Sequence, residues 1–286
     1  MQVQNNIASI NAARNQGIET GKLKKSLEKL SSGFRIVRAG DDAAGLAISE
    51  GMRSRINSLN QAMRNIDDGI GLTNVGDGAL TEVHSMLQRL KTLALKSANG
   101  TYDQSNRETL NMERDQILEE IDRIGSTTKF GGISLFSRAD ANAITPGWQP
   151  PELDDTIPLQ IGGSTQAGEV LDVERYYIGK SELKLDKIDF SDVEKGQESV
   201  GYIENAIEAV SKVRASFGAA YMHLEHTHNN LSVTSENMQA AESQIRDTNM
   251  AEEITKYTSS NIVLQSSNMI LTNANNLPQT ILELLK

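Results

Sequence analysis

The clearest pattern in the chain is a repeat of apolar residues every three or four positions between residues 46 and 98. Alternating steps of four and three predict a helix with a heptad seam that packs against partner helices. The phase shifts once, around residues 74–80, which changes supercoiling locally without requiring the helix to end. The seam positions are Met52, Ile56, Leu59, Met63, Ile66, Ile70 and Thr73, and then Leu80, Val83, Leu87, Leu90 and Ala94.

Both ends of the chain carry further apolar helical stripes. The first stripe follows Asn5 and Asn6, which suit the N-cap of a helix. A long helical pattern returns near Val193, and another begins near Met250. We expect the terminal helices to pack through Ile7, Ile10, Leu23, Leu27, Leu30, Ile254, Tyr257, Leu264 and Leu271.

The last helical segment also places Asn261, Asn268 and Asn275 at seam positions. A buried asparagine in a coiled coil lowers stability but selects register and partner. Alternatively, some of these side chains face solvent because the helix departs from a strict coil. The spacing leaves both interpretations open.

Between the first two helices lies a glycine-rich connector, "LSSGFRIVRAGDDAAGLAIS". Gly33, Gly40 and Gly45 interrupt the helical pattern and indicate a hinge. Asp41 and Asp42 stand just before the next helix, where carboxylates cap free N–H groups and face the positive helix end. This stretch is not a phosphate-binding loop, because it lacks the required glycine–lysine order.

The middle of the chain has a different period. "FGGISLF" indicates a turn with short strands, and a proline-rich loop surrounds Trp148. Ile157, Leu159 and Ile161 stand at alternate positions before a glycine pair, and residues around Leu171 and Val173 predict the return strand of a β-hairpin.

These patterns predict a mainly α fold: an elongated antiparallel helical bundle or coiled coil formed by the two halves, with a small β-hairpin region between them. The predicted divisions are an N-terminal helix with connector (1–45), N-terminal rod helices (46–135), a short variable region (136–190), a C-terminal rod helix (191–245) and a C-terminal helix (246–286).

Composition narrows the function classes. The net charge of −10 argues against general nucleic-acid binding and against docking on anionic membranes. The chain has no cysteine, so disulfides and thiolate chemistry are excluded. The first residues lack a secretory signal pattern, and no apolar run has the length of a membrane span. If the protein leaves the cell, we expect export without a cleavable signal peptide.

No residue set predicts catalysis. The densest group of metal-ligating types is "YMHLEHTH", but His223, His226 and His228 lack the spacing of a zinc protease helix. No nucleophile, base and orienting group occur together. We therefore expect no enzyme activity, no cofactor and no metal site, and a protein whose apolar helix faces contact other subunits.

Long motifs at both ends resemble bacterial flagellins. "LEKLSSGFRIVRAGDDAAGLAISEGMRSRINSLNQAMRNIDDGI" and "LQRLKTLALKSANGTYDQSNRETLNMERDQILEEIDRI" are similar to the N-terminal signature, and "SQIRDTNMAEEI" and "MILTNANNLPQTILELLK" to the C-terminal one. The resemblance covers roughly residues 1–135 and 195–286, with the motifs in the family's order.

The resemblance implies a structural subunit of the extracellular flagellar filament, whose terminal helices are disordered in the monomer and fold as they pack. It implies an inner tube of terminal helices, a connector at Gly33, Gly40, Asp41, Asp42 and Gly45, and little outer domain. The alternative is a hook–filament junction protein of the same family.

Partners also follow from the resemblance. They are other flagellin subunits, an export chaperone, the filament cap and the hook-junction proteins. A host Toll-like receptor that senses flagellin would contact Arg89, Leu93 and Glu113, although "QRLKTLALK" departs from the usual pattern at Thr92 and Lys96. Leu93 has a second interpretation, which is packing in the helical seam.

Overall fold

The computed structural model describes residues 6–136, 156–164 and 168–284, with side chains up to residue 276. The predicted loop around Trp148 lies outside these residues. The described helices are α1 (Ile7–Ser32), α2 (Ala43–Ser97), α3 (Gln104–Thr127), α4 (Val193–Arg246) and α5 (Met250–Leu284). The described strands are β1 (Lys129–Phe130), β2 (Ile133–Ser134), β3 (Thr156–Gln160) and β4 (Val170–Glu174). The predicted mainly α fold is confirmed.

The chain divides into two compact units. The terminal unit contains residues 1–57 and 235–286, and the central unit contains residues 58–234. Helices α2 and α4 each contribute residues to both units. The five predicted divisions stay a prediction.

In the central unit, α2 and α4 pack antiparallel. A Cβ placed on Gly76 of α2 would lie 3.2 Å from the ring of Phe217 on α4. Nearby, Arg214 Nε donates to Asp77 Oδ1 at 2.8 Å, and Lys91 pairs with Glu204 at 2.8 Å further along the two helices. Residue numbers rise along α2 as they fall along α4, which agrees with the predicted antiparallel packing of the N-terminal half against the C-terminal half.

The core of the central unit follows the predicted heptad seam. Leu80, Leu87 and Leu90 of α2 are fully buried, together with Ile121 of α3 and Ile203 of α4. Burial of each such side chain stabilises the fold by about 1.5–3 kcal/mol. The phase shift at residues 74–80 does not interrupt α2, which runs through it. Aliphatic seam residues rather than aromatic rings therefore form most of this core.

The middle region forms two small hairpins. The strands β3 and β4 pair antiparallel, with Ile157 opposite Val173 and Leu159 opposite Leu171. Because alternate residues share a face, this register puts the apolar members of both strands together, which confirms the predicted hairpin. The turn in "FGGISLF" is also confirmed: β1 and β2 pair around Gly131 and Gly132, both at positive φ.

Candidate functional site: the terminal helices and their connector

In the terminal unit, α1 and α5 lie antiparallel and share polar contacts. Asn6 Nδ2 donates to the Ala274 carbonyl oxygen, and Ser9 Oγ donates to Asn275 Oδ1, both at 2.6 Å. Farther along, Gln16 Nε2 donates to Asn268 Oδ1 at 2.6 Å. Two of the three seam asparagines therefore link α5 to α1, although both remain exposed to solvent. Specific polar bonds of this kind fix the register of the two helices.

The contact face between α1 and α5 consists largely of small side chains. Ala12 and Ser26 of α1 are buried, and so are Ser267 and Ala274 of α5. Small side chains let two helix backbones approach closely but remove little apolar surface from water. Five of the predicted packing residues are half-buried: Leu23, Leu30, Tyr257, Leu264 and Leu271.

The other four predicted packing residues are exposed. They are Ile7 and Ile10 at 62% exposure, Leu27 at 52% and Ile254 at 51%. Single exposed apolar residues are normal, but groups of them mark interaction surfaces. Further large apolar residues on the same two helices are also exposed, namely Ile18, Met250, Ile262, Val263, Met269 and Ile270. The large apolar side chains of α1 and α5 thus lie mainly outside their mutual contact.

The connector begins and ends with capping interactions. Gly33 follows α1 at φ +77°, and its N–H donates to the Lys29 carbonyl oxygen at 2.8 Å. Glycine suits this left-handed position because it has no Cβ to clash. At the other end, Asp42 Oδ1 accepts the Gly45 N–H at 2.9 Å and caps α2.

The two neighbouring aspartates have different roles. Asp42 caps α2, whereas Asp41 accepts the Arg38 N–H at 3.2 Å within the connector. This backbone hydrogen bond is the main cause that lowers the pKa of Asp41, and the nearby Lys25 ammonium adds to it. Asp41 therefore stabilises the connector turn rather than the helix that follows.

The glycines of the connector also differ. Gly45 is buried, and a Cβ placed there would lie 2.4 Å from Asp42 Oδ2 and 2.8 Å from Ile36 Cδ1. Gly40 is exposed, and no heavy atom lies within 4 Å of its added Cβ. Lack of space explains glycine at Gly45 but not at Gly40. Their common hinge role stays a prediction.

A clasp, which we define as residues 33–35 together with residues 245–248, joins the connector to the corner between α4 and α5. The Arg35 N–H donates to the Arg246 carbonyl oxygen at 2.6 Å, and the Thr248 N–H donates to the Gly33 carbonyl oxygen at 2.9 Å. The Arg35 guanidinium also donates to the Ile245 carbonyl oxygen. These bonds form a short antiparallel bridge between segments more than two hundred residues apart in sequence.

Arg246 is the side chain at the centre of the clasp. Arg246 is 9% exposed, and its guanidinium carbon Cζ lies 4.7 Å from the centroid of the Phe34 ring. Its Nη1 donates a hydrogen bond to Glu50 Oε1 at 2.5 Å. The hydrogen bond from Arg246 is the largest cause that lowers the pKa of Glu50. No local sequence pattern joins Phe34 to Arg246, so this cluster cannot be predicted from the sequence.

The three predicted receptor contacts lie in the central unit. Arg89 Nε and Nη2 both approach Glu113 Oε1 at 2.7 Å, which links α2 to α3 at the surface. Leu93 is fully buried in the core of that unit. The burial supports seam packing for Leu93 and leaves Arg89 and Glu113 as the accessible members of the predicted set.

The described residues hold no group of three His, Asp or Glu side chains that could bind a metal ion. Among the histidines of "YMHLEHTH", His228 Nε2 lies 3.6 Å from Asp67 Oδ1 on α2. Within the same residues, no helix is both long and apolar enough to cross a bilayer. Together, the mainly helical fold and the exposed apolar residues of α1 and α5 are those of a structural protein that assembles with other subunits.

Comparison with known proteins assigns the family. The model of the bacterial flagellin N-terminal helical region matches residues 3–141, and that of the C-terminal helical region matches residues 200–285. Flagellin of Halalkalibacterium halodurans is 42% identical over 286 residues, and flagellin of Bacillus subtilis is 37% identical over 309 residues. Both alignments cover the whole of each chain.

A solved structure agrees. The crystal structure of Bacillus cereus flagellin matches with a TM-score of 0.50 and 28% identity, covering 63% of this chain and 94% of that one. The chain therefore belongs to the bacterial flagellin family, whose members are structural proteins and not enzymes.

Proposed function

We propose that this protein is the subunit that polymerises into the helical filament of the bacterial flagellum and so serves motility. The observation that carries the proposal is that most large apolar side chains of α1 and α5 are exposed in the single chain instead of being buried between the two helices. Small and polar side chains join α1 to α5, whereas Ile7, Ile10, Ile262 and Met269 are all more than half exposed.

Burial between copies supplies the driving force for assembly. Full burial of an exposed isoleucine or methionine contributes about 1.5–3 kcal/mol, and these side chains, which are 59–68% exposed, can contribute up to about two thirds of that. The exposed residues lie on both α1 and α5, so one copy can contact different neighbours through different surfaces. Contacts of this heterologous type do not close into a ring unless the rotation allows it, and otherwise generate a helical filament.

Assembly and folding of the terminal helices are coupled in this proposal. A helix pair held by small side chains and a few polar bonds buries little apolar area, so it is marginal in isolation. Contacts with neighbouring subunits then stabilise both helices. Hydrogen exchange should show weak protection of α1 and α5 in the free subunit and strong protection in filaments; equal protection in both states would contradict coupled folding.

The proposed interface is tested by changing exposed residues that the single subunit does not need. Met269 is 68% exposed and Ile262 is 59% exposed, so Met269→Asp and Ile262→Asp should leave the fold of the monomer intact. We expect both variants to prevent filament growth in electron micrographs. Met269→Leu is the matched control, because it keeps an apolar side chain. Long filaments from both aspartate variants would refute the proposed interface, and caps or short plugs from the unmodified chain would favour a junction protein.

We further propose the partners that filament assembly requires: an export chaperone, the filament cap and the hook-junction proteins. The free terminal helices suit such partners because their apolar faces need cover before assembly. The test is co-purification of the unassembled chain with each candidate, compared with a truncation that lacks α5. Equal recovery of the chaperone with and without α5 would contradict this role for the helix.

Recognition by a flagellin-sensing Toll-like receptor is a separate proposal. It rests on Arg89 and Glu113, whose ion pair is exposed on α2 and α3. A reporter assay should show lower signalling by Arg89→Ala than by the unmodified subunit. Leu93→Ala is an inappropriate probe of contact because Leu93 lies in the core. Unchanged signalling by Arg89→Ala would exclude this surface as the receptor site.

We also propose that the protein acts outside the cell and arrives there without removal of a leader. The support is its family, whose members make up a filament outside the cell. The intact mass of the protein recovered from filaments decides the matter. A mass that corresponds to loss of an N-terminal segment would contradict export without cleavage.

A further inference from the structure

The turn between α2 and α3 contains the single Asn-Gly pair of the sequence, Asn99–Gly100. Both residues are exposed and lie beyond the last residue of α2, Ser97. Glycine leaves the peptide nitrogen after an asparagine unhindered, because it has no side chain there. We propose that Asn99 is a site of spontaneous deamidation in the folded protein.

The local geometry favours the reaction. Asn99 Oδ1 accepts the Thr101 N–H at 3.2 Å, which holds the carboxamide against the backbone that follows it. The same N–H points at the oxygen on which negative charge develops when a nucleophile attacks the carboxamide carbon. By contrast, Asn106 lies in the first turn of α3, where helical backbone keeps the next peptide nitrogen away from the side chain.

The chemistry needs only water and hydroxide. Hydroxide removes the proton from the Gly100 nitrogen, which then attacks Asn99 Cγ. The carboxamide nitrogen leaves as ammonia, and a five-membered succinimide ring remains. Water opens the ring at either carbonyl carbon. Opening at Cγ leaves an aspartate with the original backbone, and opening at the backbone carbonyl leaves an isoaspartate whose main chain runs through Cγ.

The two products affect the turn differently. Arg107 is 5% exposed and donates to the carbonyl oxygens of Ser97 and Asn99, so it holds the end of α2 against α3. An aspartate keeps these carbonyls in place. In an isoaspartate the main chain runs through Cβ and Cγ, and the former Asn99 carbonyl becomes a free carboxylate beside the chain. The group that Arg107 contacts at Asn99 therefore changes from a main-chain carbonyl to a carboxylate, and the turn to Gly100 becomes one atom longer.

Mass spectrometry of the aged full-length protein tests the proposal. Trypsin cleavage after Lys96 and Arg107 releases one peptide, residues 97–107, that contains both Asn99 and Asn106. After incubation of folded subunit in mildly alkaline buffer, we expect the exchange of NH for O at Asn99, in two chromatographically separate forms. Asn106 should stay unchanged, and the reaction should slow in mildly acidic buffer.

Gly100→Ala is the matched control. An added Cβ at Gly100 has no heavy atom within 4 Å, so the turn accepts alanine, while the methyl group hinders the attacking nitrogen. This variant should deamidate at least several-fold more slowly. Conversion of Asn99 in urea-unfolded protein but not in folded protein would overturn the proposal, because the native turn would then protect the site. Equal rates in Gly100→Ala and the unmodified chain would also overturn it.

Discussion

Two connector glycines provide a sharp test of how the chain passes from α1 to α2, because their replacement by alanine should have opposite effects. At Gly45, the added Cβ would lie 2.4 Å from the capping carboxylate of Asp42 and 2.8 Å from Ile36, which is 1% exposed. At Gly40, the Cβ would enter open space. The perturbation is one methyl group in each case.

The magnitude at Gly45 follows from three contributions. Alanine favours the helix over glycine by about 0.5–1 kcal/mol. Displacing the Asp42 carboxylate from its cap costs about 1 kcal/mol, and crowding the buried Ile36 costs about 1–3 kcal/mol. Gly45→Ala should therefore destabilise the start of α2 by about 1–3 kcal/mol. Gly40→Ala should instead stabilise the connector by about 0.4–1 kcal/mol, because it restricts the unfolded chain.

Hydrogen exchange of the amides in the first turn of α2 measures this difference locally. A loss of about 1.4 kcal/mol corresponds to about tenfold faster exchange, so a loss of about 1–3 kcal/mol in Gly45→Ala should speed exchange about fivefold or more. Electron microscopy of the same variants would report filament form, where we expect Gly45→Ala to have the larger effect.

An Asp42→Ala background separates the two causes of destabilisation. Removing the carboxylate removes both the cap and the group that the Gly45 methyl would meet at 2.4 Å. Gly45→Ala should then cost about 1 kcal/mol less than it does in the unmodified chain. Equal exchange in Gly45→Ala and Gly40→Ala would refute the close-packing explanation of Gly45.

Three further predictions concern charge. Arg246→Met should speed exchange of the Thr248 amide more than Arg53→Met does, because Arg246 is buried against Phe34 while Arg53 pairs with Glu50 at the surface; equal effects would argue against the clasp. Asp189, whose pKa is lowered from 3.8 to about 2 chiefly by its hydrogen bond with Lys195, adds stability above about pH 4 that is lost as the pH falls towards 2. Urea unfolding should therefore separate Asp189→Asn from the unmodified chain at neutral pH and not at pH of about 2. Finally, the central unit carries 16 basic and 27 acidic residues, and the terminal unit carries 12 basic and 11 acidic residues. The negatively charged central units of neighbouring copies therefore repel each other, and added salt should lower the critical concentration for assembly, measured by sedimentation. A critical concentration that rises with salt would contradict this prediction.

The parts of the fold that the sequence predicted are those with strong apolar periodicity. The heptad seam of α2 places Leu80, Leu87 and Leu90 in the core, and the alternation around Ile157 and Leu159 places them in a hairpin. In both cases the repeat of the pattern equals the repeat of the backbone, so one face is specified without knowledge of the partner.

The clasp could not be predicted in this way. Its members, Phe34, Glu50 and Arg246, come from three segments, and each type is common on protein surfaces. Only the fold brings them together. The sequence also left two interpretations of Leu93, receptor contact and seam packing. An apolar residue at a periodic helix position fits both, because the pattern does not reveal which neighbour covers the side chain.

In the terminal helices, too, the apolar pattern does not reveal which neighbour covers each side chain. The apolar stripes of α1 and α5 predicted packing between them, yet Ile7, Ile10 and Ile254 remain exposed while Ala12 and Ala274 are buried. A face of small side chains sets a short distance between the helices, and the polar bonds from Asn6 and Gln16 fix their register, but neither buries much apolar area. Most of the apolar surface thus remains exposed in the single chain. Under the proposed function other copies bury it, and we expect assembly to supply most of the free energy that stabilises the helix pair. Ser26→Leu should therefore disturb filament form in electron micrographs, because a large side chain on this buried face removes the close spacing that α1 and α5 require. Filaments of unchanged form would contradict this account of the small-residue face.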